Sequence, residues 1–199
     1  MLDLIIKGAT VIDGSGSAGT IIDVAIEGDR IISIAPNIEA ESAEVLDATG
    51  LVLSPGFIDV HSHDAFHVLI EPEVRHNILQ GITTVIVGNC GFGAAGSVAG
   101  KIQMRAINEP SADLPDWAGY AGYLEEVDKT SPALNVAALI GHHTARREAM
   151  GGVADRPPSD SELAAMLANV TEGMEAGAVG LSTGLVYEPG RYASTDEVV

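Results

Sequence analysis

The chain of 199 residues has room for one or two domains and a sizeable core. Its 46% apolar and 19% charged residues exclude a disordered acidic tail, and 10 Lys plus Arg against 28 Asp plus Glu give a formal net charge of −18. That sign argues against nucleic acid and anionic membranes as partners. One cysteine, Cys90, cannot close an intrachain disulfide, which excludes a stapled secreted scaffold and favours a reducing cytoplasm. The opening MLDLIIKGATVIDG lacks a basic leader, and no apolar run reaches the ~18 residues of a membrane span. The expected location is cytoplasmic.

Residues 1–55 read as a small β-sheet domain. LDLIIKGATVID, IIDVAIEGDRIISIAP and EVLDATGLVLSP are β-branched runs separated by Gly, Asp, Ser or Asn, with Gly28-Asp29 as a hairpin turn. From residue 56 short buried strands alternate with helical segments, the texture of βα units on a parallel sheet. GFIDVH at 56–61 predicts the first strand, PEVRHNILQG at 72–81 a helix closed by Gly81, and TTVIVG at 83–88 the second strand. Residues 91–112 read as a glycine-rich loop. A helix with an apolar stripe from Leu114 to Leu124 follows, then a third strand, LNVAALIG, at 134–141.

Ser159-Asp160-Ser161-Glu162 is a capping box, and Leu163, Met166, Leu167, Val170 and Met174 form one helical face before Gly177. AVGLSTGLVY at 178–187 predicts a fourth strand, and Ser194 to Glu197 a second capping box. The fold class expected is α/β: a β-sheet domain over 1–55, then the first half of a (β/α)8 barrel over 56–199. A complete barrel takes about 250 residues, so the chain reads as the truncated N-terminal part of a longer protein.

Chemistry concentrates at strand ends. His61 and His63 follow the first strand, where residues two apart project to one face, so both imidazoles can converge on one divalent metal. Barrel enzymes place catalytic residues at that end of the strands. Cys90 follows the second strand, and thiolate with imidazole is a strong zinc combination. The bland alternative for Cys90 is an inert buried thiol. His67, in a loop, and His76, on a helix, have weaker claims. Arg146, Arg147 and Arg191 are scarce cations, each expected in a surface ion pair, with a substrate carboxylate as the alternative.

PGFIDVHSHD, GITTVIVGNCGFG, NVAALIGHHTAR and GLSTGLVYEPGRYASTDE together resemble the N-acyl-D-amino-acid deacylase (D-aminoacylase) branch of the amidohydrolase superfamily. The opening LIIKGATVIDGSG and VLDATGLVLSPG resemble that superfamily's β-domain. The resemblance implies zinc-dependent hydrolysis of the N-acyl amide of N-acyl-D-amino acids, with one or two divalent ions. It implies that His61, His63 and Cys90 are metal ligands, and that further histidine ligands and the general-base aspartate lie beyond residue 199. No catalytic residue is then expected within the chain, and the missing barrel half or self-association would be needed.

By the same resemblance Val186 and Tyr187 would line the substrate pocket, and His142 would be either pocket wall or a structural hydrogen-bonding group. His143 stands where the family usually has glycine, in a tight turn. Two alternatives remain: a cyclic-amide hydrolase of the hydantoinase or dihydroorotase type, which shares PGFIDVHxH but generally uses a carboxylated lysine and lacks the GNCG cysteine, and a non-catalytic metal-binding or interaction protein.

Overall fold

Alternation of β-branched with polar residues makes strands of the first fifty residues. The computed structural model describes residues 2–104 and 114–199, and divides into two compact units, Met1–Gly56 and Phe57–Val199. In the first unit β1 (Leu2–Val11), β2 (Thr20–Glu27), β3 (Arg30–Ala35) and β4 (Ser42–Asp47) pair in the order β3-β2-β1-β4, with β5 (Val52–Leu53) also on β1. β2 is antiparallel to β1 and β3, whereas β4 and β5 run parallel to β1. Gly28-Asp29 makes the β2–β3 turn, Gly28 supplying a φ of +59°. Ile6, Ala9, Val24 and Ala48 form the buried cluster. A bulge between Ile6 and Ala9 frees the Gly8 amide, and buried Asp23 accepts it at 2.9 Å.

In the second unit β6 (Phe57–Asp59), β7 (Ile82–Val87), β8 (Asn135–Gly141) and β9 (Gly180–Ser182) form a parallel sheet in chain order. Connections carry α1 (His67–Ile70), α2 (Arg75–Ile78), α3 (Ser97–Met104), α4 (Gly119–Thr130), α5 (His142–Ala149) and α6 (Asp160–Ala176), and α7 (Thr195–Val198) follows β9. This is the expected α/β architecture, a curled parallel half-barrel. Its core joins Val85, Val87, Ala138 and Ile140 of the strands to Tyr120, Tyr123 and Val127 of α4. The polar tips of buried rings are bonded, Tyr123 Oη donating to the Ala65 carbonyl and Trp117 Nε1 to the Ala94 carbonyl, each at 2.8 Å.

Several elements depart from the periodicity. The helix predicted over 72–81 keeps one turn, α2, because Val74 before it is left-handed (φ +40°), and His67 lies on α1 instead of in a loop. The loop predicted over 91–112 contains α3, while 105–112 lies outside the described residues. The fourth strand stops at Ser182. A side chain at Gly184 would meet the Cys90 carbonyl oxygen at 2.6 Å, so the chain there is turned against the Cys90 loop instead of along a strand. Residues 142–143 form no tight turn, since they open α5 directly from β8.

The helix over α6 starts as its capping box requires, with Ser159 Oγ accepting the Glu162 amide at 3.3 Å and the Glu162 carboxylate accepting the Ser159 amide at 2.7 Å. Of its predicted face Met166 is buried, whereas Leu167 and Met174 are exposed. At α7 only half of the second box forms. Ser194 caps the Glu197 amide, but the Glu197 carboxylate turns inward to other partners.

Candidate metal centre

The centre is assembled from the ends of β6 and β7. β6 stops at Asp59, so His61 and His63 are placed by the bend that follows it and not by strand alternation; Asp59 Oδ1 accepts the His61 amide at 3.0 Å and starts that bend. After β7 the chain enters a 3-10 turn over Asn89–Gly91, with Gly88, Cys90 and Gly91 all left-handed at φ +86°, +57° and +82°. Glycine tolerates this conformation freely, while Cys90 adopts it at a cost of about 1 kcal/mol. Asn89 joins the two segments, its amide donating to the Ile86 carbonyl at 2.8 Å and the Ser62 carbonyl at 3.4 Å.

These turns bring His61, His63 and Cys90 together. One ligand atom from each lies within 4.8 Å of the others, and among the described residues no other group of three His, Cys, Asp or Glu does so. Cys90 Sγ is 3.3 Å from His61 Nε2, and the two imidazole rings meet edge to face at 5.6 Å. Burial, reinforced by neighbouring His61, holds the His63 imidazole below its ordinary pKa and hence neutral near pH 7. His63 Nδ1 is buried without a hydrogen-bond partner among the described residues. Two imidazoles and a thiol, with the unpartnered His63 nitrogen among them, fit a borderline-soft divalent ion such as zinc.

His67 and His76 stand apart from this group. They contact each other edge to face at 4.6 Å, and their Nε2 atoms approach Glu71 at 3.4 Å and Asp64 at 3.6 Å. Tyr187 reaches the centre through Phe92, whose ring lies 5.4 Å from Tyr187 and 5.7 Å from His63. Val186 is three-quarters exposed. His142 is buried with both nitrogens engaged, Nε2 with Glu197 at 2.9 Å and Nδ1 with Thr183 Oγ1 at 3.4 Å.

Arg146 corrects an expectation. It forms no surface pair but is fully buried, its Nη1 donating to both Glu197 oxygens at 3.0 Å. Its other donors meet the carbonyls of Pro189, Ala154 and Arg156. The helical register of α5 turns it inward, and this web of acceptors replaces water. Arg191 does pair at the surface, with Glu188 at 3.9 Å. Sequence reasoning passed over Phe92 and Ser182, which belong to no ligand pattern. The glycines around Cys90 were the only signal that something packs closely there.

The sequence profile of the Amidohydrolase family matches residues 44–197. The chain belongs to the amidohydrolase family. This amidohydrolase chain is 40% identical over 202 residues to an N-acyl-D-aspartate deacylase of Alcaligenes xylosoxydans xylosoxydans, covering 99% of the chain and 39% of that protein. It is 38% identical to a D-aminoacylase of the same organism, over 99% of the chain and 40% of that protein. The zinc-bound, phosphonate-inhibited crystal structure of N-acyl-D-glutamate deacylase from Bordetella bronchiseptica superposes with a TM-score of 0.86 at 36% identity, covering 99% of the chain and 41% of that structure. The chain thus spans about two fifths of the length of these relatives. A dihydroorotase of Streptococcus thermophilus matches over only 60 residues, 30% of the chain.

Proposed function

We propose that His61, His63 and Cys90 hold zinc, and that the chain carries the metal-binding part of a hydrolase acting on the N-acyl amide of N-acyl-D-amino acids. The observation that supports this most is the convergence of the three ligand atoms within 4.8 Å at the ends of β6 and β7. Bound zinc would supply Lewis acidity toward an amide carbonyl and an acidified water. The protein's part is to present the His61 and His63 imidazole nitrogens and the Cys90 sulfur to one ion, a role that needs the thiol kept reduced and so fits the cytoplasm. Tyr187 lies behind Phe92 and Val186 is open to solvent, places suited to lining the pocket of a small N-acyl-D-amino acid. His142, buried and twice bonded, fits the structural-hydrogen-bonding reading.

The group of three contains no carboxylate, so the proton transfer to the leaving amine that amide hydrolysis requires comes from elsewhere. Turnover by these 199 residues alone is therefore expected to be low. A cyclic-amide hydrolase would leave Cys90 without a task, and the partial dihydroorotase match excludes most of the chain. The test is to add zinc to metal-free protein while following binding and hydrolysis of N-acetyl-D- and N-acetyl-L-amino acids. Stoichiometric binding with no turnover, or turnover confined to D substrates, supports the proposal. Hydrolysis of a dihydropyrimidine in preference, or failure to bind zinc, contradicts it.

A further inference from the structure

Cys90 occupies a turn that the sheet itself does not hold. The regular pairing of β7 ends at Val87, and the residues on either side of Cys90 turn their polar groups away from the ladder. Two of these groups meet the same atom: the Ser182 hydroxyl, at the end of β9, accepts the Gly91 amide at 2.9 Å and donates to the Gly88 carbonyl. One hydroxyl thus uses its donor and its acceptor to bridge the two ends of the turn with Cys90 at its centre. Close contact runs on to Gly184, where a Cβ would sit 2.6 Å from the Cys90 carbonyl oxygen. The far end of the loop is held independently, Thr144 Oγ1 donating to the Gly93 carbonyl at 2.9 Å and accepting its amide at 3.1 Å.

We infer that Ser182 is a positioning residue for Cys90, its hydroxyl fixing the left-handed turn that holds Sγ 3.3 Å from His61 Nε2. The inference rests on the reading of His61, His63 and Cys90 as the metal centre. Without the bridge the turn keeps the Phe92 amide on the Asn89 carbonyl and the Asn89 side-chain bonds, neither of which reaches the Gly88 carbonyl or the Gly91 amide, so Cys90 is freer to relax toward an ordinary backbone conformation, which swings Cβ and Sγ away from the imidazoles. Thr144 supplies the comparison, because it anchors the same loop without spanning Cys90.

The experiment uses the 199-residue chain as wild type, Ser182→Thr, Ser182→Val and Thr144→Ala. Thr and Val share a shape and differ in the hydroxyl, so a steric loss affects both alike. Two readouts are taken: the thiolate-to-cobalt charge-transfer band during cobalt(II) titration, and the rate at which a disulfide reagent modifies Cys90, the single thiol, in metal-free protein. Ser182→Val is expected to weaken cobalt binding about tenfold and to shift or lose the band, in the range seen when groups supporting a ligand are removed. It should also speed thiol modification several-fold, about threefold or more, as the turn opens.

Ser182→Thr should retain wild-type behaviour in both readouts, and Thr144→Ala should lose thermal stability without changing either. Ser182→Val indistinguishable from wild type overturns the inference, as does Thr144→Ala reproducing the Val changes. If both Ser182 variants fail to fold where Thr144→Ala folds, the serine is a structural strut and the inference is overturned. A wild type without a thiolate band contradicts the metal reading alone, and the metal-free thiol rate then decides for or against Ser182.

Discussion

His143 is fully buried, its ring lodged where a Cβ on Gly91 would come within 2.6 Å and one on Gly190 within 2.1 Å. Neither nitrogen has a hydrogen-bond partner among the described residues. Burial, aided by His142, Arg146 and Arg147, pushes its pKa down to about 4. Since the unfolded chain takes up this proton near the ordinary value of about 6.5, stability is full above that pH and falls as pH drops toward 4. The loss is of the order of 1–3 kcal/mol. Replacing His143 with Phe removes two unsatisfied polar atoms, so its stability at pH 7 is expected within about 1 kcal/mol of wild type. Denaturant unfolding between pH 7 and 4 checks this, the variant having the shallower acid loss. Neither the burial of His143 nor that of Arg146 was legible, because the glycines packed on the His143 ring, Gly91 and Gly190, and the Arg146 acceptors on Pro189 and Glu197 lie more than 40 positions away and leave no local pattern.

At the scale of elements, legibility followed local chemistry. The helix over α6 was readable from Ser159, Glu162 and Gly177, since capping is decided within four residues of each end. The same carboxylate is held down to a pKa of about 2 by the Arg156 guanidinium first and the Ser159 amide second. A lowered carboxylate stabilises the fold above the unfolded value of 4.5, and that contribution is lost as pH falls toward 2. Ser159→Ala is expected to cost about 1 kcal/mol in chemical denaturation, with α6 amides exchanging faster. What periodicity missed was governed by close approach between distant segments. β9 ends where Gly184 meets Cys90, and α5 begins where a Cβ on Gly141 would lie 2.0 Å from the Gly93 amide. The metal candidates were readable as residue types at strand ends, but the bend and the left-handed turn that bring them together were not.

For the molecule as a whole, the strand alternation and the change of texture near residue 56 were enough to read a β-sheet unit followed by a parallel half-barrel. The sheet of the second unit has β6 and β9 at its ends, with Phe57, Ile58, Val179 and Leu181 exposed. Exposed apolar side chains on open strand edges favour association. Sedimentation across a concentration series is expected to show self-association despite the net charge of −18, strengthening with salt as repulsion is screened. A monomer at all concentrations would contradict this. Whether three residues from two strand ends make one metal centre is decided by elemental analysis of purified wild type, His61→Ala and Cys90→Ala. One zinc per wild-type chain is expected, lost in both variants with the fold retained. Well-folded wild type without metal, or full retention of zinc in either variant, would contradict it.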